Sequence, residues 1–331
     1  LECAETNAPN GMTIRPVPSD MRIAIIDLGT NTFKIVVAER SSDNPAGLRI
    51  LYTEYRSVFL GRGGIEKKEI TSEASARGLE ALRILMEKAK KFGAESVHGF
   101  GTSALRSARN GQAFVDLART ELGLEITIIP GEEEAGLILD GVRQAISFGK
   151  KPLLLMDIGG GSTEFILATD RSLMWKHSFE LGTTRLFERF PAIDPMGMDT
   201  QLRMAQHIDA QFEFLWSVVD RHWPTTLVGS AGSFDSIATM IALERGTPIA
   251  EDAITLTFDT TEFDALKDKL FTMTRAQRAT MSGLAAHRVD TIIPALALIE
   301  RVLLHGIEYI QWSKYSLKEG AAARMLRLTK N

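Results

Sequence analysis

Two stretches of the chain join a carboxylate, a glycine turn and hydroxyl side chains. One reads Met156-Asp157-Ile158-Gly159-Gly160-Gly161-Ser162-Thr163-Glu164, and the other reads Asp27-Leu28-Gly29-Thr30-Asn31-Thr32. Glycine accepts positive φ and lets backbone approach a ligand closely. Successive N–H groups in such a turn form a concave nest for anions. Ser162 and Thr163 add hydroxyl donors, and Asp157 and Glu164 bracket the turn. Carboxylates beside a phosphate cradle repel the ligand unless a hard cation lies between them, and Mg²⁺ is the usual one. The chemistry that fits is a metal–phosphate site. The plainer alternative is a glycine hairpin with an exposed acid at each end.

The elements around these turns are readable. Pro152 to Met156 and Phe165 to Ala168 are apolar runs on either side of the second turn, and Arg22 to Ile26 and Ile35 to Ala38 flank the first. Each pair reads as a strand hairpin. Two copies of one device imply a duplicated architecture, with one phosphate-binding hairpin per domain. Leu48 to Ser57 and Ser96 to Phe100 read as strands. Thr71 to Lys91 reads as a helix with Leu79, Leu82, Met86 and Ala89 on one face. Gly101-Thr102-Ser103-Ala104-Leu105-Arg106 leads into a helix, and Arg106 is either a phosphate ligand or a surface arginine paired with an acid. After Pro130-Gly131, the acids Glu132, Glu133 and Glu134 open another helix. A helix dipole favours acids there, yet one of them facing the cleft would be placed to take a proton from water. The residues alone do not select which. Met198 to His222 reads as one long helix, Thr291 to His305 as a helix interrupted by Pro294, and Gly229 to Ser233 as a second glycine-rich turn that could accept a nucleotide or phosphate.

At 331 residues the chain suits two domains, and its 44% hydrophobic content is enough for two cores. A net charge of −4 gives no general attraction to nucleic acid. No apolar run approaches the roughly 20 residues of a membrane span. The single cysteine, Cys3, excludes an internal disulfide framework and suits a reducing cytoplasm. Residues 1–20, with Pro9, Gly11, Pro16 and Pro18, read as a flexible leader. The six histidines have no zinc-ligand spacing. Neither a P-loop nor a G-x-S-x-G elbow occurs.

In these residues the chain resembles the exopolyphosphatase / guanosine pentaphosphate phosphatase (Ppx/GppA) family of the actin–Hsp70–sugar kinase superfamily, in its short two-domain form. The resemblance rests on Asp27 to Phe33, Gly101 to Arg106, Gly131-x-Glu133-Glu134-Ala135, Asp157 to Glu164, Gly229 to Gly232 and Leu317-Lys318-Glu319-Gly320, in order across residues 21–328. Thr30 and Thr32 stand where the family often has serine. The chain ends where long members continue into a helical, HD-like domain. The resemblance implies an α/β protein of two RNase H-like domains facing a central cleft. Residues 21–131 with 313–331 would form the first domain, and 132–312 the second. It implies hydrolysis of terminal phosphate from inorganic polyphosphate, or of guanosine pentaphosphate (pppGpp) of the stringent response. Glu134 would activate the water, and Arg106, the other catalytic residue, would bind the terminal phosphates. Gly29, Thr30, Asn31, Thr32, Gly159, Gly160, Gly161, Ser162 and Thr163 would bind phosphate. Asp157, Glu164 and Asp27 would hold Mg²⁺ (or Mn²⁺). A superfamily kinase, with Gly229 to Ser233 on adenosine, is the competing class. The expected setting is the cytoplasm, without nucleic acid or membrane partners, and with a homodimer as the possible assembly.

Overall fold

The computed structural model describes residues 16–18, 20–43, 47–191 and 194–328, so the expected leader lies almost wholly outside the described residues. The first sheet has strands β1 (Ile23–Leu28), β2 (Thr32–Arg40), β3 (Leu48–Ser57), β4 (Ser96–Gly101) and β5 (Ile126–Ile128), in the order β3-β2-β1-β4-β5. The second has β6 (Leu153–Ile158), β7 (Thr163–Ala168), β8 (Leu173–Phe179), β9 (Thr226–Ser230), β10 (Thr255–Asp259) and β11 (Tyr309–Ser313), in the order β10-β11-β9-β6-β7-β8.

The duplication read from the two hairpins is present. In each sheet a three-strand antiparallel meander is followed by parallel strands. β1 pairs antiparallel with β2 and parallel with β4, and β6 pairs antiparallel with β7 and parallel with β9. The strand β10 extends the second sheet alone, antiparallel to β11. β1 and β6 carry near-continuous apolar runs because both of their faces are covered.

The helices are α1 (Ser72–Lys91), α2 (Ser103–Ser107), α3 (Gly111–Leu122), α4 (Gly131–Ala145), α5 (Thr183–Arg189), α6 (Met198–Gln211), α7 (Glu213–His222), α8 (Ala231–Glu244), α9 (Thr260–Thr272), α10 (Arg275–Ala279), α11 (Ile292–Leu303) and α12 (Leu317–Met325). α1 and α3 cover the outer face of the first sheet. α6 to α9 and α11 cover the outer face of the second. Between the sheets lie α4 and α12, whose Leu137, Ile138, Val142, Leu317 and Ala322 pack with Ile23, Ile25 and Val36 on one side and Leu155, Ile166 and Val228 on the other. The two helices cross at glycines. A Cβ on Gly320 would stand 1.8 Å from the Leu137 carbonyl oxygen, and one on Gly141 would stand 1.9 Å from that of Ser316. This middle layer fixes the N-terminal turn of α4 against both hairpins.

Two helix readings need correction. The expected single helix from Met198 to His222 breaks at Phe212, which ends α6 and caps α7. Its ring is fully buried against Phe165 and Phe179, and reaching that contact breaks the helical run. Pro294 does not interrupt α11. It lies in the first turn after Thr291, where its missing N–H breaks no helical bond.

Candidate active site

The two hairpin turns have the same closure. Gly29 N–H donates to the Thr32 carbonyl at 3.2 Å, and Gly159 N–H to that of Ser162 at 3.0 Å. The carbonyls of the second turn are held from behind by the start of α5. Thr183 N–H reaches Gly159 at 3.0 Å, Thr184 N–H reaches Gly160 at 2.8 Å, and Arg185 Nε reaches Gly161 at 2.7 Å. With the oxygens tied back, no backbone carbonyl takes the N–H groups of Gly160, Gly161 or Ser162. The first turn is backed in the same way by Val58, Phe59 and Gly61, whose N–H groups donate to Asn31 and Thr30.

The turns meet across the cleft. A Cβ on Gly160 would lie 2.9 Å from Thr30 Cβ and 2.8 Å from Asn31 Nδ2, so only glycine permits this approach. Thr184 Oγ1 donates to Asn31 Oδ1 at 2.9 Å and ties the lobes together. One cavity of about 70 Å³ is lined by Asp27, Gly29, Thr30, Asn31, Thr32, Asp157, Gly159, Gly160, Gly161, Ser162 and Glu134. It gathers most of the residues expected from the sequence.

Among the three acids that open α4, only Glu134 lines this cavity. Glu132 faces His177, and Glu133 is bound to Arg324. Glu134 is 7% exposed, and Arg106 Nη1 donates to its Oε2 at 2.7 Å. A second bond from Arg106 Nη1 to the Ile129 carbonyl, at 3.1 Å, fixes the guanidinium. Arg106 itself stands behind Glu134 and does not line the cavity. Burial pushes the Glu134 carboxyl up to about 7, with Asp27 and Asp157 adding to the rise and Arg106 opposing it. Burial likewise raises Asp27 to about 6, while Lys34 opposes the rise. Glu164 lies well above the ordinary carboxylate range through burial, then through the charges of Glu134 and Asp157.

Strand register decides where the remaining expected residues go. Asp157 and Glu164 are direct cross-strand partners, and so are Asp27 and Lys34. The hairpins are alike in backbone but carry an acid–acid pair in one and an acid–base pair in the other. Asp157 accepts from Ser230 Oγ at 2.6 Å and from Ser316 Oγ. Glu164 accepts from Ser178 Oγ at 2.7 Å and, unlike Asp157, does not line the cavity. Thr163 is also absent from the lining, because its hydroxyl donates to the Leu181 carbonyl. No three His, Cys, Asp or Glu side chains among the described residues converge closely enough to hold a metal ion by themselves.

Sequence reasoning missed Lys34, Ser103 and Arg288, which line the cavity together with Thr183. Lys34 carried a signal, as the one charge inside an otherwise apolar stretch from Phe33 to Ala38. Arg288 packs against Gly232, where a Cβ would fall 1.5 Å from its guanidinium. Lys34, Ala231, Gly232 and Arg288 also line an adjoining cavity of about 740 Å³, walled further by Tyr55, Trp312, Ile254, Asp235 and Lys314.

A family model described as the Ppx/GppA phosphatase family matches residues 36–329. Exopolyphosphatase 2 of Mycobacterium tuberculosis is 28% identical over 91% of this chain and 97% of its own length. The guanosine-5'-triphosphate,3'-diphosphate pyrophosphatase of Photobacterium profundum is 28% identical over 92% of this chain, which spans 59% of that protein. A crystal structure of an exopolyphosphatase from Cytophaga hutchinsonii superposes with a TM-score of 0.89 and 36% identity, covering 94% of this chain and 99% of that one.

Proposed function

The chain belongs to the Ppx/GppA phosphatase family, and on that premise we propose that it is an exopolyphosphatase, hydrolysing the terminal phosphoanhydride bond of inorganic polyphosphate to release orthophosphate. The observation that carries this is the single cavity in which both glycine turns face Glu134. Phosphoryl transfer needs positioning and charge neutralisation more than covalent chemistry. The free N–H groups of the two turns bind the terminal phosphate oxygens. Arg106 holds Glu134 Oε2, and no hydrogen bond among the described residues engages Oε1. That oxygen takes the proton from the attacking water. A base with a pKa near 7 is suited to work near neutral pH.

The residues fit a hard divalent cation, Mg²⁺ or Mn²⁺. Asp157 and Glu164 are buried like charges directly opposite each other, a costly pairing unless a cation or proton intervenes. The nearby donors are all oxygen, and Mg²⁺ uses one or two carboxylates plus water and substrate phosphates. Asp157 and Asp27 would hold it from the cavity side, with Glu164 behind Asp157. Bound there, the cation would neutralise charge on the transferred phosphoryl group. We place the protein in the cytoplasm on its lack of a disulfide framework. No helix among the described residues is long and apolar enough to cross a membrane.

A second reading is hydrolysis of pppGpp at the same centre. The adjoining 740 Å³ cavity favours it, because Tyr55, Trp312 and Ile254 beside Asp235 offer a nucleoside apolar and polar walls together. Orthophosphate release is to be measured across a polyphosphate length series and on pppGpp, with and without Mg²⁺ or Mn²⁺. Turnover of neither substrate refutes the assignment, and the ratio of kcat/KM values selects between them.

A further inference from the structure

Ser103 stands at the edge of the catalytic cavity and is 3% exposed. Its Oγ has no hydrogen-bond partner, whereas Ser107, one turn later, donates to the Ser103 carbonyl at 2.8 Å. Buried hydroxyls in native proteins are rarely left without a partner. This one is aimed at the second phosphate turn: a Cβ built on Gly161 would stand 2.5 Å from Ser103 Oγ and 2.9 Å from Thr30 Oγ1. Two hydroxyls from the first lobe therefore converge on a turn of the second lobe whose N–H groups are free.

The Gly161 carbonyl is held away from the cavity. Arg185 is 9% exposed, and its Nε donates to the Gly161 carbonyl at 2.7 Å while its Nη2 reaches Ser107 Oγ at 3.5 Å. The tie on Gly161 is the short one, and the contact with Ser107 is long enough to leave Ser107 outside the phosphate site.

We propose that Ser103 is a direct ligand of the terminal phosphate, its Oγ–H donating to a phosphate oxygen held at the same time by the N–H groups of Gly161 and Ser162. The proposal rests on the reading of this cavity as the phosphate site. It explains why the protein retains a buried hydroxyl without a partner: the substrate supplies the acceptor. Thr102, although also in the lining, already donates to the Leu28 carbonyl at 3.3 Å, so Ser103 is the neighbour left free.

The test uses inorganic phosphate as probe, by equilibrium binding and as an inhibitor of turnover, on the wild type, Ser103→Ala, Ser103→Cys and Ser107→Ala. A hydrogen bond to a charged group is worth about 10- to 100-fold in affinity. Ser103→Ala is expected to weaken phosphate binding by about that factor, with an unchanged or raised Tm in phosphate-free buffer, since a hydroxyl without a partner is removed. Ser103→Cys keeps the shape but donates weakly, and should follow alanine. Ser107→Ala should bind phosphate within about threefold of the wild type, as expected of a group that does not touch it. Phosphate affinity unchanged in Ser103→Ala overturns the proposal. So does an equal loss in Ser107→Ala, or a wild type that does not bind phosphate. Turnover is scored separately: a wild type that binds phosphate but cleaves neither polyphosphate nor pppGpp refutes the proposed reaction and leaves Ser103 in place.

Discussion

Replacing Glu134 by glutamine should make the protein inactive and more stable at once. The side chain keeps its shape and can still accept from Arg106 Nη1, now 2.7 Å from Glu134 Oε2, but it can no longer take a proton. Loss of a general base costs about 10²- to 10⁴-fold in kcat. The stability change follows from the carboxyl's displacement from its ordinary 4.5 to about 7. Ionising it in place costs about 3 kcal/mol, a figure that already contains the attraction of Arg106. The folded protein holds this proton more tightly than the unfolded chain does. Its contribution is therefore complete below about pH 4.5 and is lost as pH rises through about 7. Glutamine carries no such loss. The variant should melt with the wild type near pH 4.5 and several degrees above it at pH 8, where the wild type's kcat/KM has just risen through a limb near pH 7. Polyphosphate binding should persist. The assays are turnover, a polyphosphate binding isotherm, and melting curves at the two pH values. A kcat within tenfold of the wild type, or an acidic limb retained by the variant, refutes Glu134 as the base. Equal melting at both pH values refutes the burial argument.

Other substitutions probe separate parts of the cleft. Asp157→Asn removes one charge of the cross-strand acid pair, and should raise the Mg²⁺ concentration needed for half-maximal activity at least tenfold or abolish turnover. An unaltered Mg²⁺ titration would count against a ligand role. Gly161→Ala places a methyl 2.5 Å from Ser103 Oγ, 2.9 Å from Thr30 Oγ1 and 3.0 Å from Ile65 Cδ1. It should lower kcat/KM more than about tenfold while moving the urea midpoint little, because the burden falls on cleft spacing. Gly320→Ala does the opposite. Its Cβ would meet the Leu137 carbonyl oxygen at 1.8 Å, and backbone cannot swing aside as a side chain can. A loss of about 1–3 kcal/mol or more in denaturant unfolding is expected, and an unchanged midpoint would show that α4 and α12 part easily.

The sequence displayed what depends on local pattern. The hairpins β1–β2 and β6–β7 were legible because each has an apolar run, an acid, a glycine turn and a returning run, and the duplication of the sheets followed from their repetition. Local pattern failed where distant packing decided. The break at Phe212 answers to Phe165 and Phe179, far away in the chain. Thr163 looked like a donor to the cleft, but its hydroxyl is taken by the carbonyl of Leu181. Arg288 gave no signal of its importance, because it acts on a glycine, Gly232, brought to it only by the fold.

The equal backbones of the hairpins conceal an unequal division of charge. Pairing register puts Lys34 opposite Asp27 and Glu164 opposite Asp157. In the first lobe the acid has its counter-charge built in, and Lys34 opposes the rise in the Asp27 carboxyl. In the second, two acids face each other with serine hydroxyls as their hydrogen-bond partners, Ser230 and Ser316 on Asp157 and Ser178 on Glu164. Hydroxyl donors satisfy geometry without cancelling charge. The second lobe is therefore the one whose acid pair calls for a proton or, on the reading proposed above, a cation, whereas the first already carries a counter-charge. Every other pair in the two hairpins is uncharged, so the difference in charge between the lobes rests on this one cross-strand position.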